Sequence, residues 1–242
     1  MNCQLENQYK DKGFNCICGV DEVGLGCIAG PVVAAAVVLN LPSACSIEVT
    51  SGKKTYPIGD SKQIPIEARE KLYPLILKDS LAVGIGVATI EELNNAAFHG
   101  GKPLAIGGDL ARCRAVENLC KKMGNKFPHE KIALLHFQMT NLVIKAKVNP
   151  DLALIDHFLL KGLSTPESIG ITKGDTKVIS IAAASIIAKV CRDRYMANLA
   201  IQFDSYNWEK NKGYATPKHI QGLKEFGPSA HHRTFMLNSV LS

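Results

Sequence analysis

Two adjacent carboxylates, Asp21 and Glu22, stand between a short apolar run and a glycine-rich turn. Gly24, Gly26 and Gly30 follow, and then a second apolar run begins. Apolar runs that flank such a turn are typical of two buried strands joined by a tight connection. Mg²⁺ takes carboxylate oxygens together with substrate phosphates, and glycines let a polymer backbone approach the peptide groups closely. The pattern therefore indicates metal-assisted chemistry on a phosphodiester.

The spacing of this acidic pair poses a geometric problem. Neighbouring side chains on a regular strand point to opposite faces. Asp21 and Glu22 can share a site only if the strand ends, bulges or twists there, or if one of them binds through its main chain. Gly24 allows such a departure. The alternative is that both carboxylates simply point to solvent beyond the strand, but two adjacent acids before Gly-x-Gly favour a site.

Two further acids follow the same logic. The run from Leu152 to Asp156 reads as a short buried strand that ends in a carboxylate. Asp175 comes after Lys173-Gly174 and stands near the start of a predicted helix rich in small residues. Helix capping alone would also account for Asp175. If it is functional, Asp175 is the fourth acid of the site.

The glycine-rich segment resembles the first signature of the ribonuclease HII family, the type 2 ribonucleases H. That family's usual pattern is Gly-x-Asp-Glu-x-Gly-Arg-Gly followed by an Ala-Gly-Pro-Val-Val run. The positions of this chain that stand in register with the pattern are Gly19, Asp21, Glu22, Gly24, Gly26, Ala29, Gly30, Pro31, Val32 and Val33. The chain departs from the family at Leu25, where the family has arginine, at Cys27, where it has proline, and at His157, where it has glycine.

The resemblance implies an α/β architecture, a ribonuclease H-like fold with a central mixed β-sheet flanked by helices and a helical C-terminal part. It covers the chain as a single domain, 1–242, with a short N-terminal extension, 1–15, and an insertion at about 99–131. The implied activity is endonucleolytic hydrolysis of RNA in RNA–DNA hybrids and at ribonucleotides embedded in duplex DNA. The implied cofactor is Mn²⁺ or Mg²⁺.

The family's functional residues carry over by position. The catalytic, metal-binding acids are implied to be Asp21, Glu22, Asp156 and Asp175. The substrate-binding residues are implied to be Gly24, Leu25, Gly26, Ser61, Lys62, Lys173 and Tyr214, with the glycine turn facing the 2′-hydroxyl and Tyr214 packing on the sugar. For two of these residues a purely structural role is the alternative. Ser61 would then cap a helix, and Tyr214 would be only a packed aromatic residue.

Local signals predict several further elements. Thr89 and Glu92 form a capping-box pattern after a strand at 81–88. A helix is expected at about 110–123, an amphipathic run at 132–147, and a final helix between Pro217 and Gly227.

Composition limits the class of protein. The formal net charge is +6, and from Lys161 onward 11 Lys and Arg stand against 6 Asp and Glu, which suits a nucleic-acid partner. No apolar run is long enough to span a membrane, and the N-terminus lacks the apolar stretch of a secretion signal. We therefore expect a cytoplasmic protein, and its eight scattered cysteines are expected to be reduced thiols. A monomer is expected.

Two other functions remain possible from the sequence. One is a nucleic-acid-binding paralogue with weakened catalysis, which the departures Leu25 and His157 motivate. The other is a ribonuclease HIII-like enzyme. That family carries an additional N-terminal domain, and the stretch before the first predicted strand is too short for one.

Overall fold

A mixed β-sheet forms the centre of the protein in the computed structural model, which describes residues 3–119, 142–143, 148–160, 163 and 166–241. Its strands are β1 Ile17–Val23, β2 Val32–Leu39, β5 Ser80–Ala88, β6 Leu142–Val143, β7 Leu152–Asp156 and β8 Glu167–Ile171. They lie in the order β6-β5-β2-β1-β7-β8. A separate hairpin pairs β3, Glu48–Ser51, with β4, Lys54–Pro57.

Strand direction determines which ends meet. β1 runs antiparallel to β2, as does β2 to β5, whereas β1 and β7 are parallel, as are β7 and β8. Val20 lies opposite Ile155 in the β1–β7 pair. The next residue on each strand is Asp21 or Asp156, so the two acids emerge side by side at the carboxyl edge of the sheet.

Helices cover both faces of the sheet, as the sequence predicts. They are α1 Gln4–Asp11, α2 Leu41–Ala44, α3 Ile66–Asp79, α4 Ile90–Phe98, α5 Pro103–Leu119, α6 Ile179–Gln202, α7 Trp208–Asn211, α8 Pro217–Phe226 and α9 Thr234–Leu241. Alternate residues of β2 face opposite sides: Val33 and Ala35 pack with α3 and α6, and Val32 and Ala34 pack with α5. None of the described helices is long and apolar enough to cross a membrane.

Helix α5 differs from its prediction. It begins at Pro103 rather than near 110, and it packs on β5 within the core. Gly84 and Gly86 permit this approach, because a Cβ at either position would overlap the α5 backbone at Ala115 or Ala111. The described part of the proposed insertion is therefore a core helix. The rest of that segment lies outside the described residues, and of the run 132–147 only β6 is described.

The predicted helix ends are largely confirmed. Thr89 and Glu92 form the capping box of α4, and Thr216 caps α8, which ends before Gly227. Helix α3 begins after Pro65, so Ser61 does not cap it.

The first helix is tied down by two long-range contacts. Glu6 is fully buried, and its Oε1 accepts hydrogen bonds from the backbone N–H (3.0 Å) and the hydroxyl (2.9 Å) of Ser180 in the first turn of α6. A disulfide joins Cys3 to Cys45 just beyond α2. The expectation that all cysteines are reduced is therefore wrong for this pair, because the fold brings together two residues 42 positions apart. Cys27 and Cys191 are buried free thiols.

His157 is one of four described non-glycine residues with a positive φ. Its φ of +65° lies in the left-handed region that favours glycine. We expect His157→Gly to stabilise the fold by about 0.5–1 kcal/mol, since relief of the strain exceeds the entropy cost of glycine. The measurement is chemical denaturation. His99→Gly is the matched control, because His99 also packs edge-on against a neighbouring Phe but has φ −85°. Equal loss of stability in both variants would contradict the strain argument.

Candidate active site

The side chains of Asp21 and Glu22 diverge to opposite faces of the sheet. Asp21 is buried on the α6 face, where it accepts a hydrogen bond from the Ser185 hydroxyl. Its Oδ1 also accepts from the backbone N–H of Glu22 at 2.8 Å. Glu22 points to the α5 face, where its Oε2 lies 2.9 Å from Nη1 of Arg112. The strand stays regular at this point, so the geometric problem raised by the sequence is real.

Asp156 and Asp175 join Asp21 on the α6 face. Oδ1 of Asp156 accepts the Gly174 N–H at 2.7 Å, which draws the 3₁₀ turn Gly174–Thr176 against the end of β7. Asp175 is buried within that turn. It does not cap α6, whose N-cap is Val178 without a side-chain hydrogen bond. The capping explanation for Asp175 therefore does not hold.

Mutual repulsion links the four acids. Burial, then the charges of Glu22 and Asp156, raise the pKa of Asp21 well above its usual value. Burial raises the pKa of Glu22 although Arg112 opposes the shift. Burial and then the Asp156 charge raise the pKa of Asp175. Carboxylates held this close are stabilised by a cation, so their chemistry fits a divalent metal.

The acids would form an open metal site that the protein side chains do not complete by themselves. Among the described residues, no three His, Cys, Asp or Glu side chains are close enough together to hold a metal ion by themselves. Mg²⁺ commonly uses one or two carboxylates and completes its shell with waters and substrate phosphates. Asp21, Asp156 and Asp175 suit such a partial ligand set on one face, whereas the Glu22 side chain lies apart from them against Arg112.

Two buried arginines brace the glycine turn that follows β1. Arg192 of α6 donates to the carbonyls of Pro31 (3.0 Å), Ala29 (2.9 Å) and Lys212 (2.7 Å). Arg233 donates twice to the Gly30 carbonyl, at 2.9 and 2.7 Å, and once to that of Leu25, at 3.0 Å. In the part of the chain described, neither arginine forms an ion pair with a carboxylate. Their charges therefore add a positive potential beneath the turn.

The turn itself leaves part of its backbone open. Gly24 has φ +98°, and a Cβ there would overlap the Arg192 side chain. Open space surrounds the position that a Cβ on Gly26 would occupy. The backbone N–H groups of Leu25 and Gly26 donate to no acceptor among the described residues. The Leu25 side chain turns inward and packs with the α5 cluster.

Tyr214 lies beside this turn. The Gly213 carbonyl accepts the N–H groups of Ile28 (3.0 Å) and Ala29 (3.3 Å), which fixes the Tyr214 segment against the turn. The residue is 42% exposed, and Nζ of Lys189 lies 5.8 Å from the ring centroid. His219 Nδ1 is 2.8 Å from the Tyr214 carbonyl oxygen. Tyr214 is thus a partly exposed aromatic residue beside the turn.

The remaining predicted substrate residues lie around the acids. The buried Ser61 hydroxyl lies 2.8 Å from that of Ser185, within hydrogen-bond distance, and Ser185 in turn contacts Asp21. The Ser61 side chain therefore supports the site from inside. Lys62 is 80% exposed, with Nζ 4.0 Å from Oδ2 of Asp175. Lys173 is exposed and precedes the Gly174–Thr176 turn with φ +56°.

Comparison with known proteins agrees with this architecture. The sequence model of the family Ribonuclease HII matches residues 18–238. A curated ribonuclease HII from Caldicellulosiruptor bescii is 34% identical over 244 residues, across 99% of this chain and 95% of that protein.

Solved structures show the same fold at lower identity. Ribonuclease H2 from Pyrococcus horikoshii OT3 superposes with a TM-score of 0.60 at 21% identity, covering 93% of this chain and 97% of that one. Bst-RNase HIII in complex with Mn²⁺ superposes with a TM-score of 0.59 at 19% identity, covering 95% and 70%. The predicted ribonuclease H-like fold is thus confirmed, and by its sequence this chain belongs to the ribonuclease HII family of metal-dependent ribonucleases H.

Proposed function

We propose that the protein cuts the RNA strand of RNA–DNA hybrids and also cuts at single ribonucleotides embedded in duplex DNA. One observation carries this proposal: the turn whose Leu25 and Gly26 N–H groups find no acceptor among the described residues directly continues the strand that bears Asp21. A 2′-hydroxyl distinguishes RNA from DNA. A donor-lined turn adjoining a carboxylate cluster can therefore select a ribose and place its phosphate at the acids.

The proposed chemistry is two-metal-ion hydrolysis that leaves 5′-phosphate and 3′-hydroxyl ends. Bound Mg²⁺ or Mn²⁺ would activate the attacking water and neutralise the charge on the leaving oxygen. Asp21, Asp156 and Asp175 would hold the cations from the α6 face, with Glu22 as the fourth acid. The Mn²⁺ complex of Bst-RNase HIII supports manganese as one candidate.

The chain's own residues would position the nucleic acid. The positive potential from Arg192 and Arg233 favours a phosphate near the turn, and exposed Lys62 and Lys173 favour phosphates beyond the acids. In this proposal the backbone N–H groups of the turn recognise the ribose. The family's arginine side chain at position 25 is then not required, since Leu25 keeps its backbone N–H. Monomeric action in the cytoplasm is part of the proposal.

The function is tested with three duplexes of matched sequence: one with a single ribonucleotide, one RNA–DNA hybrid and one all-DNA. We expect cleavage of the first two only when Mg²⁺ or Mn²⁺ is present, with 5′-phosphate products by end analysis. Cleavage of the all-DNA duplex at a comparable rate, or cleavage in EDTA, would refute the proposal.

Tyr214 provides a separate test of substrate placement. We expect Tyr214→Ala to slow cleavage at a single ribonucleotide by on the order of a hundredfold, because a stacking face worth about 1–3 kcal/mol is lost. Tyr214→Phe should retain most of the rate, since it keeps the apolar face. The measurement is single-turnover cleavage of the one-ribonucleotide duplex. Equal losses in both variants would assign the effect to the hydroxyl, and no loss in either would remove Tyr214 from the site.

A further inference from the structure

A third buried arginine, Arg112, lies on the opposite face of the sheet from Asp21. It belongs to α5, and its side chain is only 2% exposed. Nη1 lies 2.9 Å from Oε2 of Glu22, and Nη2 lies 2.6 Å from Oδ1 of Asp109. The guanidinium also stacks over the Phe158 ring, 4.7 Å from its centroid. A full positive charge is thus built in beside one of the four acids.

Both carboxylates are held by this one guanidinium. Asp109 accepts a hydrogen bond from Nη2. Oε2 of Glu22 forms a buried ion pair with Nη1 at 2.9 Å. The ion pair therefore holds Glu22 on this face, and another cation could bind the Glu22 carboxylate only by replacing Arg112.

The Leu25 side chain lies beside this guanidinium. A Cβ on Gly108 would lie 3.1 Å from Nη1 of Arg112 and 3.5 Å from Cδ2 of Leu25, so both side chains converge above this glycine. Leu25 adds no charge there, and Arg112 is the cation that Glu22 meets.

We propose that Arg112 is a positioning residue that holds Glu22 on the α5 face and weakens the affinity of the acidic cluster for divalent cations. A cation that recruits Glu22 must displace the guanidinium, and it also feels a like charge nearby through a poorly screening interior. Because the acids alone then bind divalent cations weakly, occupancy of the cation site depends more strongly on a bound substrate phosphate. The inference rests on the proposed function, because it takes the acids as cation ligands.

The test is Mn²⁺ binding to the whole protein without nucleic acid, measured by isothermal titration calorimetry. The neutral variants Arg112→Met and Arg112→Gln should bind Mn²⁺ about ten- to a hundredfold more tightly than wild type, from a like charge removed at short range. Arg112→Lys keeps the charge and should stay close to wild type. Arg114→Met is the matched control, because Arg114 lies on the same helix and pairs with Glu92 away from the acids.

Thermal unfolding supplies an independent readout. Without metal, Arg112→Met leaves a buried Glu22 charge unpaired and should lower Tm, and Mn²⁺ should raise its Tm more than it raises that of wild type. Wild-type or weaker Mn²⁺ affinity in both neutral variants would overturn this inference alone. Absence of any Mn²⁺ binding by wild type would overturn the proposed function and this inference with it.

Discussion

Asp21→Asn is expected to reduce cleavage by on the order of a thousandfold or more while raising the Tm of the metal-free protein. Activity falls because the amide cannot replace the carboxylate as a cation ligand. The metal-free fold gains stability because burial and the neighbouring Glu22 and Asp156 charges raise the pKa of Asp21, so its charged form is costly. This gain is present at neutral pH, shrinks as the pH falls below the raised pKa, and disappears only below the ordinary pKa of an aspartate in the unfolded chain.

Asp156→Asn is expected to lose activity to the same degree, and Asp151→Asn is the matched control. Asp151 stands at the opposite end of β7, where its carboxylate accepts the N–H groups of Asn15 (2.8 Å) and Cys16 (3.0 Å). Its loss should cost some stability and leave cleavage intact. Rates are measured on the one-ribonucleotide duplex with Mg²⁺ and with Mn²⁺. Wild-type turnover by either site variant in both metals would exclude that residue from the cluster.

Arg192→Met is expected to destabilise the fold by about 3–5 kcal/mol, because three buried carbonyls lose a charged donor at once. For a chain of this size that corresponds to a fall in Tm of roughly 10 °C. The glycine turn should also lose its shape, so KM for the one-ribonucleotide duplex should rise at temperatures where the variant is folded.

Arg194→Met is the control for that change. It lies two positions further along α6 and pairs with Glu70 at a partly exposed site. Its loss should cost no more than about 1 kcal/mol, as is usual for such pairs. If the two variants lose the same stability, or if Arg192→Met leaves KM unchanged, then Arg192 does not brace the turn.

The parts of the fold that were predictable depend on local signals. Apolar runs of strand length identified β1, β2, β5 and β7, and capping residues located the starts of α4 and α8. The same apolar runs located Asp21, two residues before the end of β1, and Asp156, at the end of β7. Parallel strands place such positions together at one edge of the sheet. The opposed directions of Asp21 and Glu22 were also predictable from strand alternation, although the sequence left open whether the strand departs from regularity there.

The contacts that were missed are long-range. Arg192 and Arg233 reach carbonyls 163 and 203 residues away in sequence, and no spacing rule connects them to the turn. Arg112 was missed because its segment reads as an insertion, whereas the glycines of β5 allow α5 to lie in the core. The Cys3–Cys45 pair likewise has no local signature, since it depends on where α1 docks.

Cations held by the acids are expected to contact the phosphate being cut. This contact is tested most directly by single-turnover cleavage of a one-ribonucleotide duplex with sulfur in place of either non-bridging oxygen at the scissile phosphate. Sulfur is a poor ligand for the hard Mg²⁺ and a better one for the softer Mn²⁺. We predict that at least one of the two sulfur isomers is cut slowly in Mg²⁺ and that Mn²⁺ restores its rate. Equal rates in Mg²⁺ for both isomers and the unmodified duplex, or a defect that Mn²⁺ does not relieve, would contradict this expectation.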